Sequence, residues 1–79
     1  MLDEYIGGAI EAVNKFFGIG HCLTVSIYAN VVEIWFTDPY CDNWEDDDKV
    51  IYFSPVESAD EAYAAAYAAV EAEYHRLRG

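Results

Sequence analysis

Apolar residues recur at steps of three and four through residues 2–17, which is the period of a helix that buries one side. Gly18 stands where a left-handed residue would end this helix. Two adjacent glycines, Gly7 and Gly8, each cost about 1 kcal/mol of helix propensity relative to alanine, or else they permit close packing against a neighbour. The predicted buried positions are Leu2, Ile6, Ala9 or Ile10, Val13 and Phe17.

Two segments in which alternate residues are apolar follow, residues 22–28 and 31–37, and they predict two strands. A turn at Ala29-Asn30 makes one face of the resulting hairpin wholly apolar in a single register. Because Ala-Asn is a poorer tight turn than Asn-Gly, a four-residue loop with the same register is the alternative. The predicted cross-strand pairs are Ile27 with Val32, Val25 with Ile34, and Leu23 with Phe36.

Residues 38–48 form a polar connection that begins with Asp-Pro, and residues 49–53 predict a third strand. The third strand is expected to run antiparallel to the second, since eleven residues suit a long hairpin better than a crossover with its own helix. Ser58 and Glu61 make a capping box, which predicts the start of a second helix. Its apolar stripe consists of Tyr63, Tyr67, Val70, Tyr74 and Leu77, flanked by Ala62, Ala66 and Ala69.

The chain is therefore predicted to be a single α+β domain, residues 1–79, with the order α-β-β-β-α. Its three-stranded antiparallel sheet is expected to carry both helices on one face. The other face would be more aromatic than a solvated surface requires, which favours an interface or a homodimer contact. Cover by one helix, or simple cross-strand pairing, is the alternative. The residues expected on this face are Tyr28, Val31, Glu33, Trp35, Val50 and Tyr52.

The charge of the chain narrows the classes of partner. Fifteen acidic residues against four basic ones give a net charge of -11, yet a hydrophobic fraction of 54% supports a folded core. Nucleic acids and anionic membranes carry the same sign, so direct binding to either is disfavoured and a basic protein surface is the natural complement. Solubility alone is the competing explanation. With no apolar run of about 20 residues and no basic leader at the N-terminus, we expect a cytoplasmic protein.

Catalytic and metal-binding patterns are absent from the sequence, which predicts a protein that is not an enzyme and needs no cofactor or metal. His21 and Cys22 are adjacent and would point to opposite sides of a strand, so they do not form a nucleophile and base. An enzyme or metal-binding protein would need a pocket that brings distant acids to His21 or His75. Cys22 and Cys41 lack metal-type spacing, and reduced thiols are the default, with a bond between them left open.

The connection between the second and third strands is the candidate binding segment, because six carboxylates fall within its eleven residues. Fully extended, it would carry one charge per roughly 6 Å, against about 3.4 Å along a DNA strand, so DNA mimicry requires a second row of acids. Its two large aromatic residues supply desolvated anchors for an interface. The candidate partner-binding residues are Asp38, Tyr40, Asp42, Trp44, Glu45, Asp46, Asp47 and Asp48, with Glu33 and Trp35 from the second strand.

Short length, marked acidity, an α-β-β-β-α layout and no catalytic motif together resemble the small phage-encoded inhibitors of bacterial defence, above all the anti-CRISPR proteins. These proteins share no motif, so the resemblance concerns the general character of the whole chain and no particular residue. It implies a stoichiometric inhibitor, acting in the host bacterial cytoplasm, whose acidic surface occupies the basic nucleic-acid channel of a CRISPR effector complex. The second hypothesis is a structural or assembly module that forms a homodimer through its aromatic sheet face.

Overall fold

The computed structural model describes residues 1–18, 22–37 and 49–78. It confirms the predicted α+β fold, with two helices and one three-stranded antiparallel sheet of strand order β1-β2-β3. Both helices pack on the same face of this sheet, where the buried core lies. The elements are α1 (Leu2–Phe16), β1 (Cys22–Ile27), β2 (Val32–Thr37), β3 (Lys49–Phe53) and α2 (Ala59–Arg78).

The β1–β2 hairpin has the predicted register, with Val25 opposite Ile34 and Ile27 opposite Val32. The two strands end at Ile27 and Val32, and the backbone N–H of Tyr28 donates to the carbonyl of Val31 at 2.8 Å across the connection. No described non-glycine residue has a positive φ, so the turn is not of the type I′ that Asn-Gly favours. The apolar alternation therefore determines the register without help from a preferred turn sequence.

The core side of the sheet consists of alternate residues from all three strands. Val32, Ile34 and Phe36 of the central strand are fully buried, and Ile51 of β3 pairs with Ile34 beside them. The period of two that was visible in the sequence places these side chains under the helices and the intervening ones on the opposite face. Tyr5 of α1 is buried in the same core, on the helix side of the sheet.

Tyr5 also ties α1 to the segment that precedes α2. Its side chain is 1% exposed, its ring meets Phe53 edge-on at 5.7 Å between centroids, and its hydroxyl accepts a hydrogen bond from the backbone N–H of Val56 at 2.9 Å. This bond satisfies a backbone donor that belongs to neither a strand nor a helix.

The two helices meet through small residues. Some of the large apolar side chains that the sequence predicted to be buried are therefore exposed. A Cβ atom on Gly8 would lie 2.2 Å from the carbonyl oxygen of Tyr63, so the helix backbones are in direct contact there. Larger side chains lie beside the contact, where they keep partial exposure. On α1 the buried residues are Tyr5, Gly8, Ala9, Ala12 and Val13, while Leu2 and Ile10 are exposed; on α2 they are Ala62, Ala66 and Val70, while Tyr63 and Leu77 are exposed.

The start of α2 and the end of α1 both follow the predicted local chemistry. The N–H of Glu61 donates to Ser58 Oγ at 3.2 Å, which is the serine half of the capping box. At the end of α1 the N–H groups of Phe17 and Gly18 both donate to the carbonyl of Val13, and Gly18 has a φ of 105°. A positive φ at this position is the reason that glycine suits it.

Candidate protein-binding face

The face of the sheet opposite the helices, which we term the open face, is the candidate functional site. It is formed by the alternate residues that do not enter the core, and no described helix covers it. Its residues are Cys22, Thr24, Ser26, Tyr28, Val31, Glu33, Trp35, Val50 and Tyr52, together with Thr37, which is on this side of the sheet but is buried.

Aromatic side chains dominate the accessible surface of the open face. Tyr52 is 62% exposed and Tyr28 is 53% exposed, and Trp35 is half-buried between its strand neighbours. Soluble monomers rarely expose large contiguous apolar patches, and the exceptions are commonly interaction sites. Tyr and Trp are also the residue types that supply most of the energy at protein interfaces.

Cross-strand register arranges these residues in two rows. In the first row Trp35 lies between Thr24 of β1 and Val50 of β3. In the second row Glu33 lies between Ser26 of β1 and Tyr52 of β3. Directly paired side chains in an antiparallel sheet have Cβ atoms about 5 Å apart, so each row is a continuous contact strip.

Glu33 and Tyr52 form a charged polar pair within this aromatic surface. The Tyr52 hydroxyl donates a hydrogen bond to the Glu33 carboxylate, and this bond, together with the negative charge of Glu33, raises the pKa of Tyr52 above its ordinary value. Partial desolvation and the nearby Tyr28 act in the same direction. The pair therefore places a carboxylate beside an aromatic ring on the open face.

Removing the charge of Glu33 should lower the pKa of Tyr52. In Glu33→Gln the neutral amide no longer opposes formation of the tyrosinate, so Tyr52 is expected to ionise closer to the pH of an ordinary tyrosine. The raised pKa also means that this contact stabilises the fold while Tyr52 is neutral and is lost as pH rises above about 10. Carbon-13 NMR titration of labelled tyrosine measures the shift. Glu73→Gln is the control, and an identical Tyr52 titration in all three proteins would contradict the pairing.

The structure describes two of the ten residues predicted to bind a partner. Glu33 and Trp35 both lie on the open face, in neighbouring rows, and Tyr28 and Tyr52 join them there. The sequence already placed Tyr28 and Tyr52 on this face, although neither was among the residues predicted to bind a partner. The other predicted site residues lie outside the described residues and stay predictions: Asp38, Tyr40, Asp42, Trp44, Glu45, Asp46, Asp47 and Asp48.

Carboxylates in the described part of the chain are not gathered on the open face, where Glu33 stands without another acid. Two of those on α2 have nitrogen-bearing side chains as neighbours on the same helix: Glu73 pairs with Arg76, and Glu71 lies 3.7 Å from His75 Nε2. The acids of the helices therefore form no second charged row beside Glu33, and their position relative to residues 38–48 lies outside the described part of the chain. The remaining described acids are Asp3, Glu4, Glu11, Glu57, Asp60 and Glu61, on the helices or just before α2.

The described residues offer little for catalysis or metal binding. Within residues 1–18, 22–37 and 49–78 no three His, Cys, Asp or Glu side chains converge on one point, and no pocket opens between them. His75 packs against the rings of Phe16 and Tyr74, and Cys22 is an exposed free thiol. His21 and Cys41 lie outside the described residues. The open face is thus the most distinctive surface that the structure describes.

Comparison with protein-family models, curated protein sequences and solved structures finds no significant match to this chain. Neither helix of the described residues is long and apolar enough to cross a membrane. What this molecule does must therefore be inferred from its own surface.

Proposed function

We propose that this protein is a non-catalytic, stoichiometric inhibitor that binds a basic protein surface. The observation that supports the proposal is the open face, where the exposed rings of Tyr28 and Tyr52 and the half-buried Trp35 surround one carboxylate, that of Glu33. A flat aromatic surface without a pocket suits a macromolecular partner better than a small substrate. Such a surface gains affinity from ring burial and orientation from the single charge.

Net charge selects the sign of the partner. With a charge of -11 the chain repels phosphate backbones and attracts surfaces rich in Lys and Arg, both during diffusion and in the complex. Arginine is the best match for the open face, because its guanidinium can pair with Glu33 and stack on the neighbouring rings. Candidate residues of the acidic segment 38–48 would extend the same electrostatic complement.

In its specific form, the proposal is that the bound surface is the nucleic-acid groove of a bacterial defence complex, as in anti-CRISPR proteins. Support comes from the resemblance in size, acidity and layout, and from the electrostatics above. A protein seated in such a groove excludes DNA by occupancy and needs no active site. The acids on the helices lie away from the open face. This placement favours simple blocking of the groove by the protein over imitation of the charge pattern of a DNA duplex.

Capture of partners from a bacterial lysate tests the proposal. Tagged protein is expected to retain a basic protein, and sodium chloride should release it as the ionic attraction is screened. Trp35→Ala should weaken binding by about 2 kcal/mol, as expected for an aromatic anchor. Glu33→Lys should abolish capture. Glu11→Lys makes the same charge change at an exposed position of α1 and should leave capture intact.

A purified CRISPR effector provides the specific arm of the test. The protein should displace target DNA from the effector at a one-to-one ratio, and reversing Asp46, Asp47 and Asp48 to lysine should weaken that displacement. The proposed function would be contradicted if the amount of captured partner were unchanged by salt, by the three charge reversals and by Trp35→Ala.

The second candidate function, a homodimeric assembly module, is favoured by the same exposed rings. If two open faces stack on each other, light scattering should report a dimer that Trp35→Ala converts to a monomer. A wild type and a variant that are both monomeric would rule out this arrangement.

A further inference from the structure

β1 is an edge strand without the usual protection against pairing. The strand order β1-β2-β3 leaves its outer side without a described neighbour. Natural edges are commonly blunted by charges, proline or bulges, yet the six residues of β1, Cys-Leu-Thr-Val-Ser-Ile, contain none of these. The other edge strand, β3, begins with Lys49 and is followed by Pro55. In a chain with fifteen acids, the uncharged edge of β1 is exceptional.

The backbone of β1 presents hydrogen-bonding groups to the outside at regular intervals. Tyr28 and Val31 form a hydrogen-bonded pair, and the antiparallel pattern alternates from there. The N–H and C=O groups of Thr24 and Ser26 therefore point toward β2. Those of Leu23, Val25 and Ile27 point away from it, toward a strand that no described residue provides.

A stripe of aliphatic side chains on α1 lies above this edge. Gly8 contacts α2, and Ile6 and Ile10 are each two residues away, about 200° around the helix, so they face away from α2. Because α1 packs over β1 and α2 over β3, the side of α1 away from α2 is the β1 side of the molecule. Ile10 is 45% exposed in this direction.

Two more exposed aliphatic residues complete the surface. Leu2 precedes Ile6 by one turn of α1, and Ile27 ends β1 on the helix side of the sheet; both are nearly half exposed. We term the outer edge of β1, together with Leu2, Ile6, Ile10 and Ile27, the edge surface. It combines an apolar strip with backbone groups that no described residue pairs, and Asp3, on the same side of α1 as Ile6 and Ile10, is the one acid beside that strip among the residues of α1.

We propose that the edge surface pairs with the same surface of a second copy, β1 against β1 in antiparallel orientation. The outward-facing residues are symmetric about Val25, so a twofold axis there places Leu23 of each copy opposite Ile27 of the other. In this register the outward backbone groups of all three residues find partners, Val25 with Val25 and Leu23 with Ile27 in both directions, as a closed twofold interface requires. Ile6 and Ile10 of the two copies then approach each other above the joined strands.

Charge argues for a second copy over a basic partner at this surface. A basic protein would gain no ion pair from the uncharged strand β1. Two copies that pair through β1 would bring no carboxylates of that strand together, so the strands themselves do not repel each other. The overall repulsion between two chains of net charge -11 acts at longer range and is screened over about 8 Å at physiological salt. With three residues of backbone pairing and four aliphatic side chains from each copy, we expect a contact below the roughly 800 Å² per partner of stable complexes and a dissociation constant on the order of 100 µM.

This dimer goes beyond the proposed inhibitor function and does not depend on it. Pairing about a twofold axis perpendicular to the sheet would make one six-stranded sheet, with four helices on one side and both open faces on the other. A partner with two basic sites could then engage both copies at once, which raises avidity without new contacts. The open-face dimer described above would instead bury the rings and leave β1 free.

Sedimentation equilibrium of the full chain, from 20 µM to 1 mM, tests the edge surface. Ile10→Lys should raise the dimer dissociation constant at least about tenfold, because the twofold interface carries the new charge twice. Leu77→Lys adds the same charge at a position that is 49% exposed near the end of α2, and it should leave dimerisation unchanged. Ile27→Lys at the end of β1 is the second disrupting variant, should Ile10→Lys perturb the helix.

Amide hydrogen exchange gives the register. The N–H of Val25 should exchange slowly in the concentrated dimer and quickly on dilution, whereas that of Thr24, which faces β2, should be protected at both concentrations. A protein that is monomeric throughout the range, or a dimer lost in Trp35→Ala but retained in Ile10→Lys, would overturn the proposal. Protection of Val25 at every concentration would assign the edge to another part of the same chain and overturn it as well.

Salt separates this proposal from the inhibitor function. Screening should strengthen a dimer of like-charged chains and weaken capture of a basic partner, so the two responses have opposite signs. Each can therefore fail while the other stands.

Discussion

Gly8→Ala should destabilise the protein by about 3 kcal/mol, because the added methyl group has no space between the helices. Its Cβ would lie 2.2 Å from the carbonyl oxygen of Tyr63, and a backbone atom cannot move aside without separating α1 from α2. A domain of this size has a free energy of unfolding of only about 5–10 kcal/mol. Urea denaturation followed by circular dichroism would measure the loss.

Gly7→Ala is the matched control for this substitution. Its Cβ would lie 3.2 Å from Cε2 of the Tyr63 ring, which is a partly exposed side-chain end that can rotate. The gain in helix propensity, about 1 kcal/mol, should offset the adjustment, so the net change is expected to be small. Equal losses in the two variants would show that the helices are not in backbone contact at Gly8.

Two neighbouring residues of β2 should give opposite phenotypes when each is replaced by alanine. Ile34 is fully buried on the core side, and Ile34→Ala should cost about 2–5 kcal/mol and lower the melting temperature strongly. Trp35 lies on the open face, so Trp35→Ala should cost on the order of 1 kcal/mol of stability while weakening the proposed partner binding by about 2 kcal/mol. Thermal unfolding and lysate capture, measured on both variants, separate the two effects. A Trp35→Ala protein that unfolds like Ile34→Ala would place the indole in the core.

The hairpin and the second helix start could be predicted from the sequence because their determinants are local. Alternation has a period of two, so a shift of one residue would expose Ile34 and bury Glu33, and only one register survives. Ser58 and Glu61 define the beginning of α2 through hydrogen bonds within one turn. The fold class followed from the order of these elements.

The buried helix faces could be predicted only in part from apolarity, which correctly indicated Val13 and Val70. Ile10 and Tyr63 are more apolar or larger than Gly8 and Ala62, yet the smaller residues are buried because they let the helix backbones approach. Residue-by-residue hydrophobicity contains no information on how closely two helices cross. Close contact through small residues depends on both helices at once, and it becomes visible only in three dimensions.

The candidate site was predictable in part for similar reasons. Glu33 and Trp35 followed from the alternation of β2, but the pairing of Glu33 with Tyr52 depends on the register between β2 and β3. Eleven residues join those strands, and a connection of that length is compatible with several registers. The acidic segment itself was nominated from composition, and its residues lie outside the described part of the chain.

The contact between α1 and α2 also has a consequence for biosynthesis. α1 buries Ala9 and Ala12 mainly against a helix that begins at Ala59, more than forty residues later in the chain. During translation the small-residue face of α1 therefore has no packing partner until α2 has been synthesised. Assembly of this core is a late event, because the sheet receives the cover of both helices only after α2 has been made.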